Sequence, residues 1–371
     1  MSSLHHPLQI HFRMPYRIPC VTYIVFIFLL CSNVVPAYAG RGGQGPSLDG
    51  HESPRSVGQE CSAANCIGAR DTAQMFTGRE STTLVRPLAI TGPNLSGQLD
   101  NDTRITVESF RGDVVVATVQ DAATGTSKRV RRHPRELIGF RWVTQACDQT
   151  DSCVRVAHRV ASVVVDSSRN TMPAHASNSD VWLYRVERAP SPDADDGDWV
   201  DVCARADGTA DGGLFVDGQW RTDGSRQAGG YTFSCNRGAI AKCIRTFGYK
   251  PWKSLRGATG RSVALEPLHE ACVRAVRADY RGDGVSHTRE GVMVEIFDRY
   301  GFNVRTPDGG FTAEASFDRD GAVSFHRPRV PARSRGLRWS ARSPGTPLLH
   351  VWSEPARKIL TGDGWSAQLH K

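Results

Sequence analysis

Cys61, Cys66, Cys147, Cys153, Cys203, Cys235, Cys243 and Cys272 constrain this chain more than any other feature. No C-x2-C pair occurs among them and their gaps are irregular, which argues against a zinc ribbon or knuckle. No metal or other cofactor is therefore expected. In an oxidising compartment such thiols pair, and the set reads as a disulfide framework. Eight cysteines allow about a hundred connectivities, so any pairing has to be argued from where each cysteine falls on its secondary structure.

The other two cysteines, Cys20 and Cys31, lie in residues 1–39, which have the parts of a secretory signal peptide. Arg13 and Arg17 precede an uncharged apolar stretch over 21–30, and Ala37-Tyr38-Ala39 presents small residues for cleavage after Ala39. An uncleaved anchor is the alternative, but this apolar core is short against the ~20 residues of a membrane span. No second apolar run of that length follows. The expectation is a secreted, periplasmic or envelope-associated protein with no membrane span after cleavage.

The formal charge is +8 and becomes +6 without Arg13 and Arg17. The surplus gathers in Lys128-Arg129-Val130-Arg131-Arg132-His133 and in arginines 327, 329, 333, 335, 338 and 342. A solvated face and a basic tail account for these runs; contact of the tail with an anionic surface is the functional alternative. Aromatic residues are not interleaved with the cations, so no specific nucleic acid is expected.

Composition and periodicity divide the rest. Residues 40–83 are Gly-, Ser-, Pro- and Arg-rich and read as a flexible linker, in which Cys61 and Cys66 either close a local loop or clip it to the domain behind. Residues 84–202 show strand-period alternation over 104–110, 113–120, 140–146, 154–165 and 181–186, a β-rich antiparallel domain. Cys147 and Cys153 bracket a five-residue tip between two of those strands. Residues 203–326 change character: 237–247 and the stretch after Glu266 have helical stripes, while 291–297 and 311–325 read as strands, the latter turning at Asp318-Arg319-Asp320-Gly321. Residues 327–371 are a basic, Pro- and Arg-rich tail expected to be irregular. The fold class expected is α+β: a β-rich amino-terminal domain, then a disulfide-stabilised helix and strand module.

Within that module Ile240, Cys243, Ile244 and Phe247 share one helical stripe, and Leu268, Cys272, Val273 and Val276 another. Both cysteines thus fall on inward faces. Pairing Cys243 with Cys272 would cross-link the helices, and Cys203 with Cys235 would tie the entering strand to the first helix.

The stretch Ala271-Cys272-Val273-Arg274-Ala275-Val276-Arg277-Ala278-Asp279-Tyr280 resembles the signature of ADYC-domain proteins, named for Ala-Asp-Tyr-Cys. Further matches are Tyr231-Thr232-Phe233-Ser234-Cys235, Ala241-Lys242-Cys243, Gly248-Tyr249-Lys250-Pro251-Trp252, Gly282-Asp283-Gly284, Ser286-His287-Thr288 and Gly291. The resemblance covers residues 200–324 and, more loosely, the β region before them. It implies a secreted bacterial protein and assigns no activity. Arg281 stands where the namesake cysteine belongs, and a second family cysteine near Ser324 is also missing. If those two pair in the family, their joint loss leaves the even count seen here.

Several constellations carry candidate chemistry. Asp279, Asp283, Gly284 and Glu290 match positions of a calcium loop, but Arg281 puts a cation where a ligand oxygen belongs, so a turn whose aspartates bond backbone N–H groups is the simpler reading. Arg281-Gly282-Asp283 also spells an adhesion tripeptide, which chance explains better. Asp283, His287 and His269 are the candidate participants of a hydrolytic site, although no G-x-S-x-G elbow, H-E-x-x-H pair or P-loop is present. Trp220, Tyr231, Tyr249 and Trp252 would suit a carbohydrate platform or, more simply, a core.

Two functions stay open. The first is an exported, non-catalytic protein that binds a surface ligand, a glycan or another protein, and has no concentrated polar pocket. The second is a secreted hydrolase in which His287, Asp283 and His269 converge on one cleft.

Overall fold

In the computed structural model of the protein, residues 66–69, 90–99, 103–147, 153–189, 196–204, 211–221, 223–289, 292–305, 310–337 and 345–354 are described. The strands up to the first helix are β1 (Cys66–Ala69), β2 (Thr91–Gly92), β3 (Leu95–Gln98), β4 (Arg104–Arg111), β5 (Val114–Gln120), β6 (Ser127–Arg132), β7 (Arg141–Cys147), β8 (Cys153–Val165), β9 (Trp182–Ala189), β10 (Val200–Asp201), β11 (Gly213–Trp220) and β12 (Arg226–Cys235). All but β1 join one eleven-stranded antiparallel sheet. In β4, Ile105, Val107 and Phe110 are buried while Arg104, Glu108 and Arg111 are exposed, as a half-buried strand requires. A register slip against β5 between Val107 and Ser109 keeps Phe110 on the inner face.

The sheet curls back on itself. Only Pro93 and Asn94 separate β2 from β3, yet β2 pairs with β12 while β3 pairs with β4 and β7. The ladder β7–β8–β9–β11–β12 thus leaves β3 and returns to β2, the strand just before it in the chain. Across the interior, the Phe110 N–H of β4 donates to Asp217 Oδ1 of β11 at 2.6 Å, and the Phe110 and Phe215 rings stack 4.7 Å apart. Leu95, Phe140, Trp142, Tyr184 and Phe233 fill the same core.

The remaining elements are α1 (Ala239–Arg245), β13 (Ser254–Arg256), β14 (Ser262–Ala264), α2 (Glu266–Arg277), β15 (Val292–Asp298), β16 (Thr312–Asp318), β17 (Gly321–Phe325) and β18 (Leu349–Ser353). A five-stranded antiparallel sheet runs β1–β15–β18–β16–β17, and β13 with β14 forms a hairpin. A second core joins both helices to that sheet and to the outer face of β11: Leu214, Val216 and Trp220 meet Ile240, Ile244, Val273, Val276, Ile296 and Phe317. β11 is therefore buried on both faces, with Phe215 on one side and its neighbours on the other.

The α+β expectation is overturned. Among the described residues two α-helices stand against eighteen strands, every pairing between strands is antiparallel, and the fold is β-rich. Both helices lie where their stripes placed them. The error came from strands whose sequences hide their period. β11 is apolar on successive residues because both faces are covered, and β12 carries Gly229 and Gly230, which have no side chains to mark a strand period. The segment after residue 326, expected to be irregular, supplies β18, which lies between β15 and β16 with Leu349 and Val351 inward. Its prolines flank the strand and so do not interrupt the ladder.

Cys203 is bonded to Cys235 and Cys243 to Cys272, with Cα–Cα distances of 5.4 and 5.8 Å. The second bond is the expected cross-link between the helices; the first joins the segment after β10 to the end of β12, just before α1. Loops of this length contribute roughly 3–4 kcal/mol each in the chain-entropy picture. The register sets Cys147 directly opposite Cys153 at the β7–β8 tip. Cys61, and the side chains of Cys66, Cys147 and Cys153, lie outside the described residues.

Candidate functional site

The signature residues sit where α2 ends. Ala278 takes the left-handed conformation, φ 53°, that closes the helix, and its methyl is fully buried. A residue with a Cβ is held there at a cost of about 1–2 kcal/mol, so the turn must be fixed by the residues after it. Asp279, with no exposed surface, accepts the N–H groups of Asp283 at 3.1 Å and Gly284 at 3.0 Å and pairs with Arg274. Tyr280 donates its hydroxyl hydrogen to Glu314 at 3.1 Å and accepts the Arg329 N–H at 2.7 Å. Burial, then the Glu314 carboxylate, pushes this phenol well above its usual range.

Arg329 completes the knot. Its Nε and Nη2 each reach Glu314 at 2.9 Å, while Nη1 and Nη2 donate to the carbonyls of Val276 and Ala275 at 2.7 Å. A cation thus satisfies the last carbonyls of α2, the end where the helix dipole favours positive charge. The signature works as a lock between α2, the β16–β17 hairpin and the chain at Arg329. Arg281 is exposed on the same turn, and the Tyr280 carbonyl accepts the Ala322 N–H of β17 at 2.9 Å. The adhesion-like tripeptide at 281–283 is therefore a tight turn, with Gly282 at φ 69°.

The structure gives the three candidate hydrolytic residues different surroundings. His269 faces α1, where Nε2 donates to the Ile240 carbonyl at 3.1 Å and the Trp220 ring meets it edge-on at 5.5 Å. Burial lowers its pKa to about 3, so it is neutral. His287 stacks on Tyr280 and donates Nδ1–H to the Arg333 carbonyl at 3.2 Å. Asp283 is exposed and accepts the Val285 N–H at 2.9 Å. Among the described residues no hydrogen bond joins any two of them. As for the calcium loop, the Asp279 carboxylate is occupied by backbone N–H groups and Arg274, and Glu290 lies outside the described residues. No group of three or more potential ligands is arranged to hold a metal among the described residues.

Of the four aromatics that suited a sugar platform, Trp220, Tyr231 and Tyr249 are buried in the cores. Trp252 packs against the core that holds Trp220 and Tyr249 and donates Nε1–H to Asp180 at 3.1 Å.

The connection between β8 and β9 carries no motif that marks it as a site. Residues 166–181 leave and return at one point, where the Asp166 N–H donates to the Val181 carbonyl at 2.8 Å. Such a loop is packed by its own side chains. Asn178 donates to Asp166, Ser168 and the Arg245 carbonyl, and Asn170 donates to Asn178 at 3.0 Å. Burial alone would raise the Asp166 carboxyl, but the bonds and charge of Arg245 outweigh it and hold the group below the usual range. Here lies an open depression of about 510 Å³, lined by the exposed Ser167, Ser168, Ser177 and Ser179 together with Arg169, Pro173 and Ala174. Ser167-Ser168-Arg169-Asn170 and Ser177-Asn178-Ser179-Asp180 were the available signal: a polar connection too long for a hairpin turn.

No helix of the described residues is long and apolar enough to cross a membrane. No curated protein and no solved structure matches the chain. A family profile described as the ADYC domain matches residues 134–331, which takes in the signature lock, both disulfides and the 166–181 loop. Reaching from the turn before β7 to just past Arg329, that match covers more than half of the sequence, and the chain belongs to the ADYC domain family.

Proposed function

We propose that the protein is a non-catalytic binding protein of an oxidising compartment outside the cytoplasm, and that it takes a hydroxyl-rich surface ligand, a glycan, in the 166–181 depression. The observation that carries this reading is the division of labour in that loop. Asp166, Asn170 and Asn178 are buried and bonded to one another or to Arg245, which fixes the shape, while four serines and Arg169 remain at the surface. The lining holds one carboxylate, already paired, and no histidine, so it offers hydrogen bonds without a general acid or base. The sequence led us to expect a binder without a concentrated polar pocket; this depression departs from that in its serines and Arg169. The two described disulfides suit an oxidising compartment, and the sequence at 1–39 supports export.

The test is saturation-transfer NMR of the mature protein with mono- and disaccharides, repeated with Ser179→Val and Arg169→Ala. Sugar signals that appear with the native protein and fade with either variant support the reading. Absence of any saccharide signal, or signals indifferent to both substitutions, defeats it.

A further inference from the structure

The outer face of the large sheet carries a second surface, visible only once the register is known. Direct cross-strand neighbours run Gln120, Arg104, Gln98, Arg141, Arg159 and Glu187 over β5, β4, β3, β7, β8 and β9. Directly opposed residues of an antiparallel sheet point to the same side, so these six form one polar row across six strands. Gln98, Arg104 and Arg141 are exposed, and Gln120 and Arg159 are half-buried. At the β9 end Glu187 is buried and pairs with Arg159 at 2.7 Å and Arg185 at 2.8 Å. Trp199 lies beside the row, its ring 4.5 Å from the Arg159 guanidinium and 6.0 Å from that of Arg141.

We propose that this row binds an extended anionic polysaccharide whose sugars carry carboxylates. Neighbouring strands are about 4.8 Å apart, close to the advance per sugar in an extended chain, so the row tracks such a polymer residue by residue. Guanidinium groups at Arg104 and Arg141 flank the amide of Gln98, which places planar carboxylate partners two strands apart with a hydroxyl partner between them. A nucleic acid would call for a series of stacking rings, and a protein partner for an apolar anchor; the row holds neither. This extends the reading of the protein as a glycan binder to a second surface, and it is independent of the 166–181 depression.

Affinity electrophoresis of the mature protein through gels containing polygalacturonate, a neutral glucan or single-stranded DNA tests it. Retardation by polygalacturonate and not by the glucan is expected. Arg104→Gln with Arg141→Gln should weaken it roughly tenfold, from two lost charge pairs. Lys128→Gln with Arg131→Gln removes the same charge from β6 and should leave binding within about twofold. No retardation by polygalacturonate overturns the proposal. So does equal weakening by both pairs, or equal retardation by DNA, since either would mean undirected charge attraction. Arg169→Ala, which disables the depression, should leave this retardation in place.

Discussion

Arg329 and Glu314 form an ion pair from which solvent is wholly excluded, each with no exposed surface. Their positions in the sequence give no sign of it, since Arg329 belongs to a run of arginines that reads as a solvated tail. The pair holds because every polar atom has work: Glu314 also receives the Tyr280 hydroxyl, and Arg329 also caps α2.

Removing one partner leaves the other charged and buried, so Arg329→Met should destabilise the protein by about 3–5 kcal/mol. Arg329→Met with Glu314→Leu should recover part of that loss, because no orphan charge remains. Urea unfolding monitored by tryptophan fluorescence measures both. A single-variant loss under about 1 kcal/mol would mean that the signature lock does not hold the helix end.

Cys243 and Cys272 are fully buried between the helices. Replacing both with alanine should cost about 2–4 kcal/mol and lower the urea midpoint accordingly. A non-reducing peptide map should recover Cys243 with Cys272 and Cys203 with Cys235. A peptide joining Cys243 to any other cysteine would contradict the fold at its helical core.

Acid and neutral conditions should act through different groups. Burial raises the Asp217 carboxyl to about 6. Relative to an ordinary value near 4, this group contributes stability that is complete below pH ~4 and is lost as pH rises through 6, on the order of 2 kcal/mol. Asp217→Asn keeps an oxygen for the Phe110 N–H and should flatten that part of the profile. His269 and His158 run the other way: burial lowers them to about 3 and about 4. Stability from these imidazoles is present above pH ~6.5 and is lost as pH falls towards 4 and below, because the unfolded chain takes up the protons first. Denaturant midpoints taken from pH 3 to 8 check both limbs; a profile for Asp217→Asn that parallels the native one removes the assignment.

Much of the fold was legible. The alternation at 104–110 and the β-branched run at 154–165 became β4 and β8, and the stripes with Cys243 and Cys272 became α1 and α2, because one buried face imposes its period on the residues that make it. β11 was hidden because two cores bury both of its faces, and β6 because a sheet edge in water tolerates arginines and lysine on either side. Neither candidate surface was legible. The 166–181 depression depends on a loop closing on itself, and the row from Gln120 to Glu187 depends on the register of six strands.

The sequence by itself determined the helices, most strands of the first half and the family, since each rests on local periodicity or on a contiguous motif; the two disulfide pairings, offered among about a hundred connectivities, were settled by the fold. Only the tertiary structure decided that the protein is a β fold, that Arg329 lies in the core, and which polar residues stand side by side on its surface. Those outcomes come from pairing segments far apart in the chain, and pairing energy depends on what each strand finds opposite it, which no local pattern records.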